Sequence, residues 1–451
     1  MTATAVPAAP ADAWPARPGP AAPGGTTSGD DFRAAVREIF RDTAGRLGQA
    51  GTREQARALA GEHVTAWAEQ QARAGRELPS PRTLDALARA VLDEQFGLGP
   101  LQPYIDDPDV ENIDINGPRQ VRVTLRDGRR MAGRPVAASD SELMEMVRTW
   151  GIREGQTPRE FSAARPVLHA ALNDAGVRLA AVMSVTPQVH VSIRCHRLVD
   201  ITLEQLCDPG YATVSAELAH FLACAVRARK NVIVTGGVDA GKTTLLRALT
   251  AALDPDERIA TLESEYELYL HLLPARHRDV VPFEARQANS EGAGQVTLHD
   301  LIPAALRLNP RRVILGEVRD TEIRPMLEAM NSGQEGSMCT LHANSADEVF
   351  GRILMLAQRG QLAMPPAVIH LEVGMARPFV VHIRKDPATH QRYVSEVIEV
   401  LPPGDGDRPD RNRVFSPGPD GRAVPDHSLS PAALDALTAA GFSPAVLRGR
   451  P

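Results

Sequence analysis

Lysine is nearly missing from this chain: of fifty basic residues only Lys230, Lys242 and Lys385 are lysine. Aromatic residues are also scarce, at 4%, and the net charge is −6. An acidic chain with so few stacking rings argues against a nucleic-acid surface. Four cysteines, Cys195, Cys207, Cys224 and Cys339, are scattered with no C-x-x-C pair, which argues against a metal cluster or a disulfide framework and fits buried thiols in a reducing cytoplasm. No apolar run reaches the roughly eighteen residues of a membrane span, and no basic segment followed by an apolar core opens the chain. The expectation is a cytoplasmic protein without a cleavable export signal.

What is present centres on "NVIVTGGVDAGKTTLLRALT", residues 231–250. Gly236, four residues, then Gly241, Lys242 and Thr243 fit the phosphate-binding loop G-x-x-x-x-G-K-[ST]. Residues 231–235 read as a buried strand and 243–252 as a helix, which would put a nucleotide's phosphates at a helix N-terminus, where dipole and free N–H groups favour anions. Lys242 would reach the β/γ oxygens, and the Thr243 hydroxyl would hold Mg²⁺. With lysine so rare, a chance lysine at that position of a glycine-rich turn is improbable.

With 451 residues the chain has room for about two or three domains. Residues 1–30 are Ala/Pro/Gly-rich without periodicity and are expected to form a disordered tail. Over 31–99, segments such as "DFRAAVREIFRDTAGRLG" and "TLDALARAVLDEQFGLG" carry apolar residues at helical spacing. Over 100–205 the pattern changes to hairpins around Asp-Gly and Asn-Asp-Ala-Gly turns, predicting a smaller α+β domain. Residues 206–215 have the Pro/Gly content of a linker. Strand and helix then alternate over 216–400, the signature of an α/β domain with a mainly parallel sheet. Residues 401–451 read as a loop-rich appendage with a short terminal helix.

The strand ends of the α/β domain carry acids and a histidine. "RIATLE" ends on Glu263, "RRVILGE" on Glu317 and "SMCTLH" on His342. Ligands of open α/β sheets bind outside the carboxyl ends of the strands, so these three should converge on the phosphate loop. Two carboxylates there suit nucleotide hydrolysis, one for the metal's water shell and one for the attacking water. His342 fits a donor sensing the γ-phosphate. Ser345 and Glu348 have capping-box spacing, predicting a helix start after it.

Together "GLGPLQPYIDDPDVENIDING", "VSIR", "GGVDAGKTT", "RIATLESEYEL", "SEGAGQVTLHDLIPAALRLNPRRVILGEVRD" and "AMNSGQEGSMCTLHANSADEV" resemble the type II/type IV secretion ATPase family. The match is to its CpaF-type branch, which powers tight-adherence (Tad) pilus assembly, and it covers about residues 85–400. The resemblance implies a RecA-like P-loop domain hinged to the smaller N-terminal domain, ATP and Mg²⁺ as cofactors, and a hexameric ring. It also implies docking on the cytoplasmic face of an inner-membrane platform. On this resemblance the phosphate loop spans Gly236, Gly237, Val238, Asp239, Ala240, Gly241, Lys242, Thr243 and Thr244. Glu263 becomes the water-activating acid with Glu267 as its second carboxylate. Glu317 ends the Walker B segment and serves the metal with Thr243, Arg319 follows it, and His342 closes the histidine box. Arg178 and Arg194 match arginines with which the N-terminal domain closes on the nucleotide.

The chain departs from the family at four points. Asp239 and Ala240 stand in the loop where relatives carry Gly and Ser, Ser264 replaces an Asp, Gln334 replaces the first histidine of its box, and Asp320 replaces a Gly. These leave open a nucleotide-binding scaffold with little turnover as an alternative to an ATP-driven motor. A GTPase switch is disfavoured because none of the three lysines lies in an N-K-x-D motif.

Overall fold

The computed structural model describes residues 29–153, 160–172, 176–195, 198–288, 292–359, 364–404, 408–426 and 429–448. Residues 1–28 of the expected tail lie outside them, and Gly29 already opens a helix. The described residues divide into two compact units, the first made mainly of residues up to Cys195 and the second of those after it.

In the first unit the helices Gly29–Leu47, Arg53–Arg73 and Pro81–Phe96 share a core of Val36, Ile39, Leu47, Ala56, Ala60, Val64, Leu87 and Val91. Their starts are chemically marked: Thr52 accepts from the Gln55 N–H, and Ser80 precedes a proline and accepts from the Thr83 N–H, so orphan donors are satisfied by side chains. Strands β1 (Val110–Asn116), β2 (Gln120–Leu125), β3 (Arg130–Gly133), β4 (Val167–Leu172), β5 (Val177–Val182) and β6 (His190–Cys195) form a sheet in the order β3-β2-β1-β6-β5-β4. Alternate residues such as Ile113, Ile115, Val121, Val123, Leu179 and Ile193 are buried, as a half-covered sheet requires. The β2–β3 turn falls on Asp127-Gly128, where Gly128 takes φ +84°.

The second unit is built on a nine-stranded sheet. Its strands are β7 (Val232–Gly236), β8 (Ile259–Glu263), β9 (Val280–Glu284), β10 (Arg312–Val318), β11 (Met338–Leu341), β12 (Phe379–Lys385), β13 (Arg392–Pro403), β14 (Pro409–Pro417) and β15 (Ala423–Pro425). They lie in the order β15-β14-β13-β12-β7-β11-β10-β8-β9. From β9 to β12 neighbours are parallel, and β12 to β15 are antiparallel. Every residue of β7 and β8 is buried, the mark of strands covered on both faces. Along the parallel strands side chains alternate between two cores: Val232, Val234, Ile314, Phe379 and Val381 enter one, while Ile233, Val313, Leu315, Cys339 and Val380 enter the other. The chain departs from β7 towards β8 on one side and returns to β12 on the other, with β11 between the phosphate-loop strand and β10. This is the RecA-like arrangement, and the switch point lies at the carboxyl end of β7.

Two boundaries differ from the sequence reading. The segment expected to link domains over 206–215 belongs to the second unit, where Leu206 and Val214 join its first core. The helix Leu203–Leu206 just before it is closed by a capping box of Thr202 and Gln205. The stretch 401–451, expected as an appendage, contributes β14, β15 and the helix Pro431–Ala439 among its described residues. Phe415, Leu437 and Phe442 join the same core, and Phe221 meets Phe379, Phe415 and Phe442 edge-on at ring centroids 5.2, 5.2 and 5.6 Å apart. Each such pair adds about 1 kcal/mol beyond area burial, so the C-terminal strands hold the domain together.

Candidate active site at the phosphate loop

The loop after β7 is shaped by two glycines with separate duties. A Cβ on Gly236 would sit 2.4 Å from the Ile383 carbonyl of the adjacent β12, a clash with backbone that no side chain escapes. Gly241 takes φ +95°, a left-handed conformation that favours glycine. Between them Gly237 and Val238 form an exposed apex, Asp239 is itself left-handed at φ +59°, and Ala240 is buried in the core. The helix Lys242–Thr250 starts directly after Gly241 with no side-chain cap. Its first N–H groups, including those of Thr243 and Thr244, therefore form an anion site of the kind a phosphate chain fills.

Two of the three strand-end residues, His342 and Glu317, join a chain of contacts to Lys242. Lys242 Nζ donates to the Gly237 carbonyl at 2.8 Å and lies 3.1 Å from His342 Nδ1. His342 Nε2 is 2.6 Å from Glu317 Oε1. The other oxygen of Glu317 receives Arg319, with Nε at 2.7 Å and Nη2 at 2.6 Å. An ammonium can only donate and a carboxylate only accept, so this chain requires the ring hydrogen on Nε2 and a lone pair on Nδ1. Burial opposes the charge on Glu317, but the His342 hydrogen bond and the Arg319 guanidinium outweigh it and hold the carboxyl down at about 2. Burial lowers the Arg319 pKa, but the adjacent Glu317 carboxylate outweighs it and raises it.

Glu263 lies apart from that chain. It is 2% exposed, and its Oε1 accepts from the N–H groups of Glu267 at 2.9 Å and Leu268 at 2.8 Å. Gly316 of β10 packs on it, leaving only 3.0 Å between a notional Cβ and Glu263 Cγ. Glu263 thus fastens the segment after β8, and that segment presents Glu267, whose Oε2 accepts from the Thr243 hydroxyl at 2.9 Å. Of the two residues assigned to a metal on sequence grounds, Thr243 faces Glu267, whereas both oxygens of Glu317 are engaged by His342 and Arg319. Among the described residues no group of three His, Cys, Asp or Glu side chains is placed to hold a metal alone. An Mg²⁺ would have to arrive with the nucleotide's own phosphate oxygens, and Thr243 with Glu267 fits that role.

The remaining site residues fall as follows. Arg178 and Arg194 face each other across the β5–β6 pairing of the first unit, both half-buried. Asp320 lies 3.8 Å from Arg359, Ser264 is half-buried beside Glu263, and Gln334 precedes β11, at the sheet edge opposite the phosphate loop. Ser345 does accept from the Glu348 N–H at 3.2 Å, but Glu348 reaches back to Asn344 and the helix begins only at Val349. Sequence reasoning missed Lys385 and Arg392, both bound to Asp239. The signal available for Lys385 was the rarity of lysine itself.

Residues 163–373 match the family model described as type II/IV secretion system protein. A protein of Mycobacterium tuberculosis H37Rv described as a conjugal transfer protein is 33% identical over 325 residues, covering 70% of this chain and 88% of its own length. The type IV secretion system protein VirB11 of Brucella suis is 26% identical over 341 residues, covering 69% and 92%. Among solved structures, the Legionella pneumophila ATPase DotB overlaps 69% of this chain and 81% of its own, at 16% identity and a TM-score of 0.48. On the family match and the identity to the mycobacterial relative, the chain belongs to the type II/type IV secretion ATPase family.

Proposed function

We propose that the protein is an Mg²⁺-dependent, ATP-hydrolysing motor that powers assembly of a Tad-type pilus or secretion across the inner membrane. It works as a homo-oligomer, a hexameric ring, held in the cytoplasm against inner-membrane platform proteins. The reading is carried by the unbroken chain Lys242, His342, Glu317, Arg319 beside a phosphate-shaped loop. A scaffold that merely bound nucleotide would have no use for an ionised carboxylate wired through a histidine to the phosphate-loop lysine.

In this reading the N–H groups of residues 237–244 and Lys242 bind the phosphates, and Thr243 with Glu267 would hold a cation, which would supply neutralisation of phosphate charge. Lys242 leaves His342 Nδ1 for a γ-phosphate oxygen, so His342 and Glu317 register whether that phosphate is there. Glu317, kept ionised by Arg319, orients the attacking water through a remaining lone pair, and Glu263 positions the Glu267 segment. No helix among the described residues is long and apolar enough to cross a membrane.

The test is steady-state ATP and GTP hydrolysis with Mg²⁺ across a range of protein concentrations, for the parent and Lys242→Ala. ATP-selective turnover that rises faster than linearly with concentration and disappears in the variant is expected. Tight Lys242-dependent ATP binding with no turnover, even with membrane partners present, would replace the motor with the scaffold reading.

A further inference from the structure

Asp239 occupies a loop position at φ +59°, and an acid beside a polyphosphate should repel it. The structure surrounds that acid with cations. β12 runs parallel to β7 with Ile383 beside Gly236 and continues two residues beyond, to Lys385. Antiparallel pairing with β13 then sets Arg392 opposite Lys385, so the turn end of this hairpin meets the phosphate loop. Lys385 Nζ lies 2.5 Å from Asp239 Oδ2, and Arg392 Nη2 lies 3.0 Å from Oδ1. Arg392 Nε also donates to the Asp239 main-chain carbonyl at 3.1 Å. The Arg392 stem covers Gly241, with Cδ 3.1 Å from where a Cβ would stand. Two of the chain's three lysines therefore bear on this one loop.

We propose that Lys385 and Arg392 are positioning residues for nucleotide binding, acting through Asp239 as an ionic clamp on the left-handed residue of the phosphate loop. The inference rests on the nucleotide-binding reading above. Aspartate tolerates left-handed backbone better than most residues but less well than glycine. Bonds to both carboxylate oxygens and to the carbonyl fix that conformation and hence the direction of the N–H groups that ring the phosphates. The trio of one acid and two cations also leaves a net positive charge beside the site instead of the negative charge of Asp239 alone. All three side chains are about a quarter exposed, so solvent screens the clamp in part and its effect should be moderate.

The experiment measures KM and kcat for ATP, with direct ATP binding, on the full chain and its variants. Lys385→Met and Arg392→Met should each raise KM about tenfold with kcat within about twofold, and Lys385→Arg should restore the parental KM. Asp239→Gly removes the acid that both cations bind, and its own KM serves as the baseline of a double-mutant cycle. In that background Lys385→Met should have no further effect. A tenfold loss that persists in the Asp239→Gly background would make Lys385 a direct phosphate ligand and overturn the clamp. So would unchanged KM in both methionine variants. A parent that binds no ATP at all would overturn the nucleotide reading together with the clamp.

Discussion

Glu317→Gln changes one atom type and should break the relay at a definable link. The amide must keep its oxygen towards Arg319, because a guanidinium can only donate. Its NH₂ then faces His342 Nε2, which must become an acceptor, and the ring hydrogen moves to Nδ1. That hydrogen would point at Lys242 Nζ, now 3.1 Å from Nδ1, donor against donor. Either Lys242 or His342 must move away, and no carboxylate remains to orient water. Turnover should fall by about 10²- to 10⁴-fold, the usual contribution of a positioned acid or base, while ATP affinity stays within a few-fold because Lys242 is retained. Stability should change too. The carboxyl is held from its ordinary 4.5 down to about 2, worth about 3 kcal/mol at neutral pH. Because the folded value is the lower one, that contribution is complete above pH 4.5 and fades as pH falls through 2. The gap between parent and variant in urea unfolding should therefore shrink from about 3 kcal/mol at pH 7 to about 1 kcal/mol at pH 3. A variant that hydrolyses ATP at the parental rate, or a gap that does not change with pH, would refute this account of Glu317.

Two further outcomes are expected. Gly316→Ala places a methyl about 3.0 Å from Glu263 in a buried strand, so unfolding should become easier by about 1–3 kcal/mol. Turnover should also fall as Glu263 releases the segment carrying Glu267; parental urea midpoint and kcat would show that the contact constrains nothing. Burial, reinforced by Arg384, pushes His382 from its ordinary 6.5 down to about 4, where its Nδ1 pairs with the Thr235 hydroxyl at 2.9 Å. The unfolded chain then takes up a proton that the folded chain refuses, so stability should drop as pH falls from 6.5 to 4 and level off below. His382→Gln should flatten that slope by up to about 3 kcal/mol, and a variant that keeps the full slope in pH-dependent melts would remove His382 as its source.

Residues whose placement follows from local backbone demands were legible in the sequence. Gly236, Gly241 and Lys242 announce a phosphate loop because the turn and the helix start dictate residue type within a few positions. Strand ends are nearly as readable: Glu317 and His342 could be placed on one edge of the sheet from apolar runs alone, and Arg319 lies two residues from its partner. Glu263 shows where such reading stops. Its end-of-strand position was visible, but whether its oxygens face water or the N–H groups of Glu267 and Leu268 depends on how the chain turns after β8, which no periodicity encodes. Lys385 and Arg392 were invisible for another reason, since their partner Asp239 lies about 150 residues upstream and only the pairing of β12 with β7 joins them. The strands after residue 401 were hidden by composition. β14 is polar and only irregularly buried along its length, so proline and aspartate made it read as loop.

The order of the sheet explains how one loop comes to be held between opposite charges. Because β11, β10 and β8 all lie on one side of β7, Glu263, Glu267, Glu317 and His342 approach the phosphate loop from that side. β12 lies on the other side, and from there Lys385 at its end and Arg392 of β13 reach Asp239 of the loop. A parallel crossover could not bring the second cation so near, since parallel neighbours need a long connection, whereas a hairpin returns within a few residues. The antiparallel strands that follow the parallel core therefore do more than close its edge: they anchor the hairpin whose turn end meets Asp239. In this chain an aspartate is compatible with a phosphate-binding loop because the sheet places positive charge on the flank that the acids leave open.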